Sequence, residues 1–193
     1  MPSLALPAAV LMGVYLTAFL VLTARSARDA GQPVWLFGRD RRQGLAALLF
    51  RLAFAGGLMY PLLLVFGIEP VGEFAAPPAP LRIAGLLLAL AGALFALRAQ
   101  QHMGASWRIG SVAGHSGTIV DTGPFGLSRN PVFVGQIALF AGFVLARPDA
   151  VQLALAFAVA LAAALQVRIE EKVLARDLGG PYLAYANRVR RWL

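Results

Sequence analysis

VFVGQIALFAGFVLARPDAVQLALAFAVALAAALQV (132–167) holds two apolar runs separated by three residues, Arg147, Pro148 and Asp149. A helix rises about 1.5 Å per residue, and about 20 apolar residues cross the roughly 30 Å hydrocarbon core of a bilayer. The run from Ala150 to Val167 reads as one membrane span and the run from Val132 to Ala146 as a shorter one. With so short a connection the two form an antiparallel helical hairpin, so the start of the first and the end of the second lie on one membrane face. Ala and Gly dominate both runs, and small residues let transmembrane backbones approach closely. Ala138 with Gly142, and Gly85 with Ala89, are such pairs.

Working outward, further apolar runs extend from Leu4 to Thr23, from Leu45 to Gly67 and over 81–97. The chain is 59% hydrophobic with a mean hydropathy of +0.71, and only 13% of it is charged. Soluble domains carry about 25% charged residues, so the expected fold is an all-α integral membrane protein with five transmembrane helices. The first run lacks a basic start and a clear cleavage site, and reads as a retained helix rather than a signal peptide. The net charge of +8 comes from sixteen arginines and one lysine. In a soluble protein this would point to nucleic acid, but here the basic residues flank apolar runs. Residues 24–44, 98–131 and 168–193 hold most of them, whereas 68–80 hold none. Basic loops stay cytoplasmic, which places the N-terminus outside and the C-terminus inside, with no nucleic-acid partner. Arg51, about two turns into the second run, is expected to snorkel toward that face. The expected organisation is a single membrane domain over 1–193, with 98–131 and 168–193 forming a cytosolic ligand-binding region. After Gly179, Gly180 and Pro181, the residues Tyr182, Tyr185, Val189 and Trp192 fall on one helical stripe, the mark of an amphipathic C-terminal helix on the cytosolic face.

The chain has no cysteine, which excludes disulfides, thiolate metal sites and cysteine nucleophiles. Its two histidines, His102 and His115, are too few for a histidine-built metal or haem site. Three polar segments meet on the cytosolic side. SWRIGSVAGHSGTIVDTG (106–123) is too polar to span a membrane and offers backbone N–H and C=O groups to a ligand. In SRNP (128–131), Asn130 and Pro131 fit the cap and first position of a helix. Arg129 beside them is either an anion-binding group at a helix N-terminus or an anchor for lipid headgroups. In VRIEEKVLARDLGG (167–180), Glu170 and Glu171 point about 100° apart, so one is expected to face the bundle and the other to meet solvent or Arg168, Lys172 or Arg176. The pair is either a salt-bridged helix end or part of a site. Arg129 and the glutamates together suit a zwitterion.

GTIVDTGPFGLSRNPVFVG (117–135), followed by RIEEKVLARDLGGPYLAYANRV (168–189), resembles the isoprenylcysteine carboxyl methyltransferase family and its bacterial relatives. The likeness covers about residues 104–192: an arginine-x-proline step with a following glycine, an apolar hairpin, a Glu-Glu pair and two closing tyrosines. It implies a membrane methyltransferase that takes S-adenosylmethionine from the cytosol and a lipophilic small molecule or lipid from the bilayer, in a bacterial inner membrane. Gly117, Thr118, Ile119 and Val120 are then expected along the cofactor, together with Phe125, Arg129, Asn130, Pro131, Phe133, Glu171, Tyr182 and Tyr185. Arg168, Glu170 and Glu171 take the catalytic positions, Arg168 as a holder of the acceptor carboxylate. Phe125 and Phe133 stand where the family has tyrosine, and Asn130 where histidine is common. These departures make the pocket more apolar and point to an acceptor other than prenylcysteine.

Methyl transfer from a sulfonium is an in-line displacement, so the protein mainly positions its reactants and excludes water. A carboxylate acceptor needs no general base; an amine acceptor needs one, and a glutamate fits. A phospholipid N-methyltransferase is therefore a close alternative. An NADPH-dependent reductase of the sterol-reductase type is another, although the chain lacks an extra arginine cluster for a 2′-phosphate. A scaffold binding anionic membrane lipids leaves the glycine-rich loop unexplained. His102 and His115 read as solvated loop residues, and Trp35, Trp107 and Trp192 as interface anchors.

Overall fold

The computed structural model describes residues 4–31, 34–36, 41–110 and 119–193. Six α-helices carry the described chain: α1 (Ala5–Ala30), α2 (Gly44–Val65), α3 (Ala79–Met103), α4 (Pro131–Ala146), α5 (Ala150–Leu178) and α6 (Gly180–Arg188). Among the described residues there is no strand, only a single backbone bridge between Trp35 and Ile109. Four helices, α1, α2, α3 with the turn that follows it, and α5, are long and apolar enough to cross a membrane; α4, at 16 residues, is shorter. At about 1.5 Å per residue, the 29 residues of α5 span about 43 Å, well beyond the hydrocarbon core. The surplus is its charged end, from Arg168 onward.

α4 packs chiefly on α3, antiparallel, and more lightly on α5. The reason is the small-residue pattern. A Cβ at Gly85 would lie 2.5 Å from the Ala146 nitrogen, and one at Gly92 would lie 2.6 Å from the Gly135 carbonyl oxygen. Gly142 meets the Ala89 backbone in the same way. Backbone here touches backbone, and dispersion replaces the hydrophobic drive that lipid does not supply. α2 leans on α5, where Gly56 receives Leu155, while Gly57 receives Met12 of α1 and Phe140 of α4. An aromatic chain then fills the middle of the bundle. Tyr15 stacks on Phe54 at 5.9 Å, and Phe54 meets Phe140 edge-on at 5.3 Å.

Buried polar side chains tie the helices in pairs. Gln136 of α4 donates to the Tyr15 hydroxyl of α1 at 2.9 Å. Gln100 of α3 donates to Thr23 Oγ1 at 2.9 Å and to the Phe19 carbonyl at 3.0 Å, both on α1. At the far end, Asp149 caps α5 by accepting from the Gln152 N–H at 2.8 Å. The same carboxylate takes the Tyr60 hydroxyl at 2.6 Å and Arg147 Nε at 2.8 Å. Arg147 goes on to Glu73 and Glu69, and Arg82 bridges to Glu73 at 2.6 Å. The acidic residues of the loop over 68–80 thus clamp the α4–α5 corner. Asp149→Ala strips a fully buried hub and leaves Arg147 and Tyr60 short of an acceptor. The expected loss is about 3 kcal/mol, read by thermal unfolding in detergent.

α6 is amphipathic, as expected, but its stripe faces protein. Tyr182, Tyr185 and Val189 are buried together against Ile119, Leu174 and Leu178. The helix ends at Arg188, and Trp192, expected as an interface anchor, packs on the main core instead. Trp107 is corrected in the same way: it is buried, meets Phe19 edge-on at 5.7 Å and donates its indole N–H to Thr23 at 3.2 Å. Arg51 is exposed on α2.

Candidate active site

The site is built where α4 begins. Pro131 occupies a first-turn position, where its missing N–H costs nothing. Asn130 stands at the cap position, yet its side chain does not cap the helix, contrary to the simplest reading of Asn-Pro. Its Nδ2 donates instead to the Arg191 carbonyl at 3.0 Å. Ser128 accepts from the Asn130 N–H at 3.1 Å and donates to the same Arg191 carbonyl at 3.2 Å. The Arg129 N–H donates to the Arg190 carbonyl at 2.9 Å. Residues 128–130 therefore grip the strap that follows α6.

The side chain of Arg129 turns away from the α4 N–H groups. Its Nη1 donates to the carbonyls of Ala186 (2.6 Å) and Val189 (3.3 Å), the negative end of α6, and its Nη2 to Glu171 Oε1 (2.8 Å). Its Nε is buried with no partner among the described residues. Glu171 receives a second guanidinium. Arg191 Nη2 donates to Oε2 at 2.7 Å, and Arg191 Nε lies 3.0 and 3.1 Å from the two oxygens. The fork-on-carboxylate arrangement is among the stronger charged contacts. The Glu171 carboxylate holds the Arg191 guanidinium even more firmly protonated than usual.

Glu170 turns about 100° away and accepts from Gln166 Nε2 at 3.0 Å. Gln166 is itself fully buried and also reaches Gln43 at 3.2 Å. Both glutamates nevertheless border the same cavity, and the cations that Glu171 meets are Arg129 and Arg191 rather than Arg168, Lys172 or Arg176. The cavity is broad enough to touch two faces of α5. Arg168 is exposed and does not line it. Two residues of helix turn by about 200°, which puts Arg168 nearly opposite Glu170.

Ile119, Val120, Phe125, Arg129, Asn130, Pro131, Phe133, Glu170, Glu171, Tyr182 and Tyr185 all border this one cavity. Gly117 and Thr118 lie outside the described residues, as does His115. Phe133 stacks on Phe50 at 5.6 Å, and the Tyr182 and Tyr185 rings meet at 6.3 Å. The Tyr185 hydroxyl donates to the Phe125 carbonyl at 2.8 Å. Burial pushes Tyr185 up to about 12 and also raises Tyr182, whose ionisation the Glu171 charge opposes further. Both phenols stay protonated donors at neutral pH. Tyr185→Phe removes one neutral hydrogen bond between α6 and the turn over Gly123–Gly126, with an expected cost of about 1 kcal/mol in a denaturation experiment.

Sequence reasoning missed Leu36, Met103, Trp107, Arg108, Leu174 and Leu178, which also line the cavity. A signal existed for two of them, since 171, 174 and 178 share a helical face. Trp107 lies in the expected ligand-binding region but was read as an interface anchor, and no signal existed for Leu36. The pairing of Leu36 N–H with the Ile109 carbonyl at 2.8 Å and of Ile109 N–H with the Val34 carbonyl at 2.7 Å brings those segments together. Nor did the sequence show that Arg191 would reach Glu171. His102 is placed by structure as well: its ring lies 3.0 Å from the Thr122 hydroxyl and packs over Gly123, whose φ of +57° suits glycine.

Residues 81–179, just over half of the chain, match the phospholipid methyltransferase family. The chain belongs to that family. The match runs from the start of α3 through the end of α5, so it takes in the cavity's arginine at 129 and both glutamates. Membership makes the chain a membrane methyltransferase by family, in line with its long apolar helices. No curated protein matches the chain.

Proposed function

We propose that this phospholipid methyltransferase family member is an S-adenosylmethionine-dependent enzyme. It spans the membrane five times, α4 included, with its N-terminus outside. Its cavity opens to the cytosol, and a lipophilic acceptor enters from the bilayer. The observation that carries the reading is the gathering of Arg129, Glu170, Glu171, Tyr182 and Tyr185, from α5, α6 and the turn before α4, around one cavity. The donor set suits the cofactor: the buried, unpartnered Nε of Arg129 is a ready donor for a carboxylate, and Phe125 and the tyrosines give an apolar wall for a nucleobase.

When bound, the cofactor supplies an activated methyl group on a sulfonium. The protein's part is to orient the two reactants, exclude water and handle one proton. For an amine acceptor, Glu170 would take the proton that the nitrogen gives up, which frees the nitrogen lone pair to accept the methyl group. Glu171 is less suited to this, since two guanidiniums already hold it. An amine-bearing lipid headgroup is therefore the acceptor we favour. A carboxylate acceptor is the second reading, favoured by Arg108, whose guanidinium lines the cavity and has no carboxylate partner among the described residues. Arg168 stays outside this proposal.

Purified protein in lipid nanodiscs is expected to bind S-adenosylhomocysteine with micromolar-range affinity by calorimetry, about −8 kcal/mol. Methyl label from the cofactor is expected to enter the lipid fraction in a base-stable form. Base-labile label would select the carboxylate reading. Absence of binding at millimolar ligand would overturn both.

A further inference from the structure

A second concavity lies on the outside of the bundle, between α1 and α3. Ala18, Val21, Leu22 and Arg25 form one wall, and Leu94, Leu97, Arg98 and Gln101 the other. Each wall is an i, i+3, i+4, i+7 stripe, so the two helices present matched faces to one groove. Over the seven residues from Ala18 to Arg25 the groove runs about 10 Å. Val21 and Leu94 leave large apolar surface uncovered. The α1 wall ends in Arg25 and the last turn of the α3 wall carries Arg98 and Gln101, at the same end of the bundle as the cavity, since Gln100 ties that end of α3 to Thr23 on α1 and Thr23 holds Trp107.

The charge there is uncompensated. Arg82, Arg129, Arg147, Arg188 and Arg191 each pair with a carboxylate. Neither Arg25 nor Arg98 does so among the described residues, and no acidic residue lines the groove. Gln101 Oε1 accepts from Arg98 Nη1 at 3.3 Å and holds it beside the groove, leaving its other donors available. An apolar channel closed at one end by two guanidiniums complements one kind of molecule: an acyl chain attached to an anionic headgroup.

We propose that the α1–α3 groove binds one anionic phospholipid, with its phosphate between Arg25 and Arg98 and the first part of a chain along Leu22, Leu94 and Leu97. The site is separate from the proposed methyltransfer cavity, with which it shares no lining residue. Near a membrane surface each arginine favours anionic lipid appreciably, and two converging ones give selectivity of about tenfold.

Native mass spectrometry of detergent-released full-length protein, titrated with phosphatidylglycerol or phosphatidylcholine, tests this. Wild type is expected to retain one phosphatidylglycerol about tenfold better than phosphatidylcholine. Arg25→Gln with Arg98→Gln loses that preference, while Arg28→Gln with Arg176→Gln, equal in charge but off the groove, keeps it. Leu94→Trp fills the groove without touching either charge and is expected to expel the lipid. Equal retention of the two lipids by wild type overturns the proposal. So does an equal loss in the off-groove control, which would mean diffuse attraction. Retention in Leu94→Trp also overturns it, because the headgroup alone would then account for binding.

Discussion

Arg129→Ala weakens S-adenosylhomocysteine binding at least about a hundredfold, roughly 2.7 kcal/mol, in nanodisc calorimetry. One guanidinium holds three partners at once: Glu171 and the carbonyls of Ala186 and Val189. The pair with Glu171 is largely out of water, the two side chains being 13% and 16% exposed. Breaking such a pair costs more than the pair contributes, because the partner is left charged and desolvated. Arg191 still covers Glu171, which limits the damage to the fold, so thermal unfolding is expected to shift by about 3 kcal/mol or less. Arg129→Lys keeps the charge but lacks the planar fork and the Nε donor. It recovers stability more than binding if Nε meets the ligand. Arg191→Ala is the milder change, since that side chain is about half exposed. Equal binding by wild type and Arg129→Ala would remove the cavity's claim to the cofactor.

Gly142→Leu is expected to prevent assembly of the bundle altogether. At Gly142 the added side chain would enter the backbone of Ala89, and at Gly85 even a Cβ would sit 2.5 Å from the Ala146 nitrogen. No rotamer relieves a clash with backbone, so α3 and α4 must separate along their length. Overpacking of ordinary cores costs about 1–3 kcal/mol, and a backbone collision exceeds that range. The variant should run as aggregate in size-exclusion chromatography. Gly142→Ala should still fold, with a clear drop in unfolding temperature. The companion substitution Gly72→Ala, where nothing lies within 4 Å, should leave that temperature unchanged. The effect reaches the candidate active site because α4 carries Pro131, and Asn130 directly precedes it, on the same rigid element.

Much of this architecture can be read along the chain. Apolar runs of membrane length, the RPD corner and the Gly/Ala spacing at 85, 89, 135 and 142 depend only on neighbours within one helix or one turn. Hydropathy and close packing act locally, so residue order encodes them directly. The polar residues worth suspecting could be named for a related reason: in a chain with nine carboxylates, adjacent glutamates beyond a span are conspicuous. Which of those groups meet was set by packing between elements distant in sequence. Arg191 reaches Glu171 because residues 128–130 hold its backbone, and Trp107 turns inward because Thr23 takes its indole N–H. Arg168 is exposed and does not line the cavity, since one residue of helical register moves a side chain by 100°. Such rotations are fixed by the sum of contacts around each helix, and no single segment contains that sum.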